Sequence, residues 1–234
     1  MKIKKMCELI VLKKQLLEHE NKSSALNIRK FFKNSQEDIF LGVSTVLLRQ
    51  IAKHFITLSL TNLLELMSSD VHDERSIAYI ILCLKFKKAD EKEQLNLFNF
   101  YIEHRHTIRD WDGVDGVAPY VVGPYLLNRE KTLLYTLVHS KNIWDRRIAI
   151  ISTWWFIRQN EIDHTLKLAE ILLLDQEDLI HKATGWMLRE VGKRNILALK
   201  QFLELHHARF SRTTLRYAIE KFPPEERRYY LNLR

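Results

Sequence analysis

Glycine and proline are scarce in this chain, with six and four among 234 residues. That scarcity excludes collagen-like and turn-rich all-β organisation. The two cysteines, Cys7 and Cys83, are far apart in apolar contexts. They provide neither a disulfide framework nor a paired zinc motif, and a reducing compartment is expected. Long apolar runs are also missing. "CELIVL" near the start is too short and too charged for a signal peptide, and no stretch approaches the roughly 18 apolar residues of a membrane span. A cytoplasmic protein without a membrane partner is expected.

What is present is ample core material, 46% hydrophobic, with apolar residues recurring every three or four positions. This periodicity predicts an all-α protein with no substantial sheet. Helices are expected over 3–18, 25–33, 43–57, 61–68, 72–87, 91–104, 113–127, 130–139, 142–158, 163–173, 177–193, 196–207 and 211–221. Asp73, Asp90, Asn142, Asp163 and Ser211 are the expected N-caps. No linker divides the chain, so 1–234 reads as one domain, least regular near 33–40 and 105–112.

The formal charge is +8 and unevenly spread. Residues 1–33 hold nine Lys and Arg against three Asp and Glu, and residues 186–234 hold eleven against five, so each end carries +6. The middle carries −4, seventeen against twenty-one. A polyanion gripped by both ends across a mildly acidic centre would suit this pattern, as would ordinary solvated helix faces.

Four segments align on an alanine: "DERSIAYIILCL" on Ala78, "WDRRIAIISTWW" on Ala149, "LIHKATGWMLRE" on Ala183 and "TTLRYAIEKF" on Ala218. Their separations are 71, 34 and 35 residues, so a further copy is expected near 113–118. A period of this length predicts an α-α superhelix of stacked helical repeats, a solenoid with a concave basic groove. The alanines permit close helix approach, and Ile80, Leu82, Ile151, Met187 and Leu188 are expected to fill the interfaces. Arg75, Arg147, Lys182 and Arg216 recur just before the alanines. Singly, each reads as a helix cap or bridge; as a set, they suit a groove for a phosphate backbone.

Five of the ten glycines and prolines fall in "DWDGVDGVAPYVVGP", residues 110–124, where the missing copy should lie. Trp111 and Asp115 are four apart and share a helical face, while Asp110 or Asp112 is expected to serve the helix N-terminus. A carboxylate beside an indole in basic surroundings is suited to a cationic ligand. Trp154 and Trp155 are assigned to packing. "HRH" at 104–106 and "HH" at 206–207 lack further ligands at metal-binding spacing and read as surface histidines.

The chain resembles the DNA alkylation repair family, bacterial DNA glycosylases built from HEAT-like repeats. The resemblance rests on "FLGV" at 40–43, "LR" at 48–49, "LKFKKAD" at 84–90, "WDGVDGVAP" at 111–119, "WDRRIAIISTW" at 144–154 and "HKATGWMLREVGK" at 181–193, and covers residues 25–230. It implies hydrolysis of the N-glycosidic bond of positively charged purines, such as 3-methyladenine and 7-methylguanine, in duplex DNA during base excision repair. The lesion stays stacked and the enzyme works on the sugar. It further implies Asp115 as the catalytic aspartate, Trp111 and Trp186 as sugar-facing indoles and Arg147 as a phosphate contact. Lys182, Arg189, Lys193, Arg212 and Arg216 are weaker DNA contacts, and Phe31 lies near a frequent DNA-contacting tyrosine.

No cofactor or metal is expected, nor a Schiff-base lysine, so the enzyme should be monofunctional and monomeric. Its partner should be double-stranded DNA carrying alkylated purines, associated with the bacterial nucleoid. Departures from the family pattern are Asp110, where a small polar residue is frequent, and Gly116, where serine is common. Two other readings stand beside this one: a catalytically inactive relative that binds damaged or branched DNA, and a helical protein-binding adaptor.

Overall fold

A computed structural model of the chain describes residues 2–32 and 37–233, with side chains from Glu8 onward. The described residues form α-helices and two short 3-10 turns, and contain no strand beyond a single parallel bridge between Ile39 and Val71. The all-α helical repeat fold expected from the periodicity is what the chain adopts. It forms two compact units, residues 1–117 and 118–234.

The first unit holds α1 (Lys2–Glu18), α2 (Lys22–Arg29), α3 (Thr45–His54), α4 (Leu60–Met67), α5 (His72–Lys88), α6 (Glu91–Glu103), a 3-10 turn at Arg105–Thr107 and α7 (Asp112–Asp115). Its centre is α5, which packs on α1, α3, α4, α6 and α7. Being surrounded, α5 buries polar as well as apolar residues: the whole run from His72 to Tyr79 is buried. Buried polar groups must find partners, and those partners shape the candidate site below.

The second unit holds α8 (Val122–Leu126), α9 (Thr132–Leu137), α10 (Ile143–Arg158), α11 (Asp163–Leu172), α12 (Asp178–Arg194), α13 (Ile196–His206), a 3-10 turn at His207–Arg209, α14 (Arg212–Ala218) and α15 (Pro224–Asn232). Here α10 packs on α8, α9, α11 and α12, and α12 on α11, α13 and α14. The repeat alanines do what their size suggests: Ala78, Ala149, Ala183 and Ala218 are all buried. Leu82, Ile151, Met187 and Leu188 are buried beside them, whereas Ile80 is only partly covered.

Gly185 marks how closely α12 and α14 approach. A Cβ there would lie 2.5 Å from both the Thr214 carbonyl oxygen and the Tyr217 Cβ. Alanine in place of glycine favours a helix by about 1 kcal/mol, but neither obstacle is a flexible side-chain tip. Gly185→Ala is therefore expected to destabilise the protein by about 1–3 kcal/mol, read as a lower urea midpoint at unchanged m-value.

Three N-caps are as expected. Asp90, Asn142 and Ser211 accept from the amides of Glu93, Trp144 and Thr214. Two are not. Asp73 lies inside α5, whose N-cap is Val71, and its carboxylate instead accepts from the Leu41 and Val43 amides, both at 2.8 Å. It thereby fixes the "FLGV" loop. Asp163 is the first residue of α11 rather than its cap, which is Ile162.

α2 begins earlier than expected because Asn21 caps it, accepting from the Ser24 amide. The helix ends at Arg29, short of the expected end at Lys33, which itself lies outside the described residues. Helix α15 was not among the expected helices: Pro223 and Pro224 form its N-cap and first position, where a missing N–H costs nothing.

The expected helix over 113–127 is broken. α7 ends at Asp115, residues 116–121 form a turn, and α8 begins at Val122. Pro119 lacks the amide that would continue the ladder, while Pro124 falls in the first turn of α8, where it is tolerated.

Candidate functional site

The "DWDGVDGVAP" stretch enters α7, a helix of four residues. So short a helix cannot sustain itself, because nucleation fixes several residues for a single hydrogen bond. It is held instead by a stripe along α5: His72, Arg75, Ser76, Tyr79 and Cys83, spaced as one helical face.

Arg75, 1% exposed, donates to Asp110 Oδ2 at 3.0 Å, to the Ser69 carbonyl at 2.9 Å, and to Asp38. The other oxygen of Asp110 accepts from the amides of Asp112 and Gly113 at 3.2 and 3.3 Å, completing an N-terminal cap. Ser76 donates to Asp112 Oδ2 at 2.9 Å, and His72 Nε2 stands 3.5 Å from the same atom.

Tyr79 covers Gly113 so closely that a Cβ there would lie 2.8 Å from its hydroxyl oxygen, while Tyr101 of α6 donates to the Gly113 carbonyl at 3.0 Å. The glycine that weakens α7 in isolation is what lets α5 approach it. At the far end, Cys83 donates to the Gly116 carbonyl at 3.2 Å, and burial pushes its thiol up to about 12, so it stays protonated as a donor.

Arg75 is therefore not a groove cation, as its place in the repeat suggested. Two carboxylates and a carbonyl claim it inside the first unit. Asp112 likewise turns to α5 and is no second carboxylate for chemistry. Burial works against its ionisation. The His72 imidazole, the Ser76 hydroxyl and the Arg75 charge outweigh that, holding its carboxyl below the ordinary aspartate value of 3.8. Its contribution to stability is thus complete above pH 3.8 and lost as pH falls through the lower folded value. Parent and Asp112→Asn are expected to differ in urea stability near neutrality and to converge over that acid window.

Asp115 closes α7, half-buried, with its amide bonded to the Trp111 carbonyl at 2.8 Å. The two residues thus belong to the same helical turn, as their spacing predicts. Trp111 is also half-buried, and the structure adds a support that the sequence did not reveal. Its indole stacks on Phe32 with ring centres 4.9 Å apart and planes 11° apart, and its Nε1 lies 3.4 Å from the Phe31 carbonyl. Phe32 in turn meets His72 edge-on at 4.5 Å, and Phe40 stacks on the same imidazole at 4.8 Å. One indole face is therefore covered. Phe31 itself is 73% exposed. Its carbonyl orients Trp111, and its ring is the part available to a partner.

The remaining sequence candidates lie in the second unit. Trp186, on α12, is half-buried. Arg147 is 5% exposed and donates to the Leu179 carbonyl, a helix bridge between α10 and α12. Lys182 pairs with Asp178 at 2.7 Å, Lys193 with Glu190 at 2.6 Å, and Arg189 with Glu220. Arg212 donates to the Leu231 carbonyl at 2.6 Å, and Arg216 is exposed.

Trp154 and Trp155 pack as expected. Trp154 lies edge-on to Tyr120 under the Arg158 guanidinium, and the Trp155 Cβ abuts Gly123. His104 and His106 bond carbonyls of α6, His207 bonds a carbonyl of α13, and His206 is buried rather than on the surface. No described helix is long and apolar enough to cross a membrane.

Comparison with known proteins places this geometry in context. No curated protein matches the chain. A solved structure, the predicted DNA alkylation repair enzyme from Enterococcus faecalis, is similar with a TM-score of 0.69 at 16% identity, covering 88% of this chain and 98% of that one. At that identity, the likeness speaks to the fold. The model of the DNA alkylation repair enzyme family matches residues 12–222, which include α5, the whole of α7, Trp111 and Trp186. The chain belongs to the DNA alkylation repair enzyme family.

Proposed function

We propose that the protein is a monofunctional DNA glycosylase that excises cationic N3- and N7-alkylated purines from duplex DNA. The observation that carries this reading is the anchored turn: in a chain of this family, Asp115 closes α7 one helical turn beyond a supported indole.

A purine alkylated at N3 or N7 leaves as a neutral base and needs no general acid. The barrier lies in the sugar, which gains oxocarbenium character as the C1′–N bond lengthens. Asp115 stabilises that cation and orients the attacking water. Trp111 and Trp186 add cation–π attraction of about 0.5–2 kcal/mol each. No cofactor takes part. Arg147 contacts a flanking phosphate, a role carried by the resemblance alone. Arg212, Arg216 and the Phe31 ring are further DNA contacts. Lys182, Arg189 and Lys193 join them by exchanging an acidic partner for phosphate. The protein acts as a monomer, as one domain, on nucleoid DNA in the cytoplasm.

The test is release of free 7-methylguanine and 3-methyladenine from methylated duplex. DNA affinity should fall steeply with salt, by about 0.9 log units of binding constant per log unit of salt for each phosphate neutralised. The alternative within the family is a silent DNA binder that retains these residues without turnover. DNA affinity without base release would select that reading. Salt-insensitive affinity for a protein partner, with none for DNA, would select an adaptor.

A further inference from the structure

We propose that Asp110 is a positioning residue for Asp115, its orientation imposed by Arg75; this rests on the glycosylase reading above. The two carboxylate oxygens of Asp110 have separate tasks. Oδ1 caps the amides of Asp112 and Gly113, and Oδ2 is gripped by Arg75 at 3.0 Å. Arg75 cannot swing, because Asp38 and the Ser69 carbonyl hold its other donors. The direction in which α7 starts is therefore set by α5, through a planar guanidinium whose donors are fixed in a fork.

Asp115 ends the same helix. Two hydrogen bonds to the Trp111 carbonyl, from Val114 at 3.1 Å and Asp115 at 2.8 Å, carry the start of the turn to the proposed catalytic carboxylate. The other anchors, Ser76 on Asp112, Tyr101 on Gly113 and Cys83 on Gly116, grip the flank and the end of α7. Only Asp110 holds its first amides among the hydrogen bonds described. With the cap removed, α7 should stay docked but fray from its N-terminus, and Asp115 would sample positions away from the sugar. Misplacement by about 1 Å can cost on the order of a hundredfold in rate.

The positioning role is separable from a merely structural one by two variants and two readouts. Asp110→Ala removes both cap and ion pair. Asp110→Asn keeps an oxygen for the amides but turns its Nδ2 amide toward Arg75, losing the ion pair together with its hydrogen bond. The first readout is amide hydrogen exchange of the full chain, which needs no activity. Asp110→Ala should lower protection of the Val114, Asp115 and Gly116 amides by about tenfold or more, with α5 unchanged. The second is single-turnover base release at saturating enzyme, alongside DNA affinity. The Asp110→Ala rate constant should fall about tenfold to a hundredfold, with affinity within twofold, and Asp110→Asn should lie between it and the parent.

Unchanged protection in α7 overturns the proposal. So does loss of protection throughout α5, or a rate that falls only in step with DNA affinity. If the parent releases no base, the glycosylase reading fails, and the positioning role with it. The exchange arm then still decides whether Asp110 holds α7.

Discussion

Arg75→Met should destabilise the protein by roughly 3–5 kcal/mol, the range seen when one partner of a buried ionic group is removed. Among the described residues, Arg75 is the cation that bridges Asp38 and Asp110, both buried. Nearby, Arg109 reaches Asp38 only at 3.6 Å and is committed to Asp70 at 2.7 Å, on a side chain that is partly solvent-exposed. Methionine fills the space of the stem and leaves two buried carboxylates facing each other, with only the more distant Arg109 beside Asp38.

Against a total stability of about 5–15 kcal/mol, such a loss leaves a marginal protein. Urea unfolding should show it as a large drop in midpoint. Removing the charges together, in Arg75→Met with Asp38→Asn and Asp110→Asn, should recover a substantial part of the loss, because most of it arises from stranded charge rather than lost attraction. A shift below 1 kcal/mol in the single variant would mean that water or Arg109 replaces the guanidinium.

Asp115→Asn should lower base release about a hundredfold to a thousandfold, the range observed when a preorganised group facing transition-state charge is removed. Asparagine is nearly isosteric, so α7 and its anchors should survive and the melting temperature should scarcely move. DNA affinity should hold or tighten slightly, since the substitution removes a negative charge facing a polyanion. Those signs identify the role. A loss confined to the rate constant places the carboxylate on the reacting sugar; a parallel loss of rate and affinity would make Asp115 a scaffold residue.

What the sequence makes legible is what local periodicity controls. α5, α10 and α12 carry long apolar patterns around their alanines, and their expected bounds agree with the structure to within a residue. The break between α7 and α8 is harder to read. A density of Gly and Pro signals interruption, but where the helix stops depends on Pro119 lacking an amide. The Asp73 error has the same origin. A carboxylate near a helix start reads as a cap, and only the fold brings Leu41 and Val43 within its reach.

Around the candidate site, Trp111 and Asp115 are legible from their spacing and from family resemblance, because i to i+4 is a local relation. Their supports are not. Phe32 stacks on a tryptophan 79 positions later, and Arg75 finds carboxylates 37 positions before and 35 after it. A stripe of His, Arg, Ser, Tyr and Cys along a helix looks like a solvated face. It becomes a scaffold only when α5 is enclosed on all sides. For the same reason Arg75, a groove cation by its place in the repeat, is a buried bridge in the fold, and its counterpart Arg147 is 5% exposed with one donor on the Leu179 carbonyl.

The most direct measurement of the central claim is single-turnover base release from two otherwise identical duplexes, one carrying a cationic 7-methylguanine and the other an uncharged hypoxanthine, by the parent and by Asp115→Asn. The account predicts release of 7-methylguanine by the parent, little or none by Asp115→Asn, and none of hypoxanthine by either. Equal release by the two proteins, or failure of the parent on the cationic lesion, would contradict it.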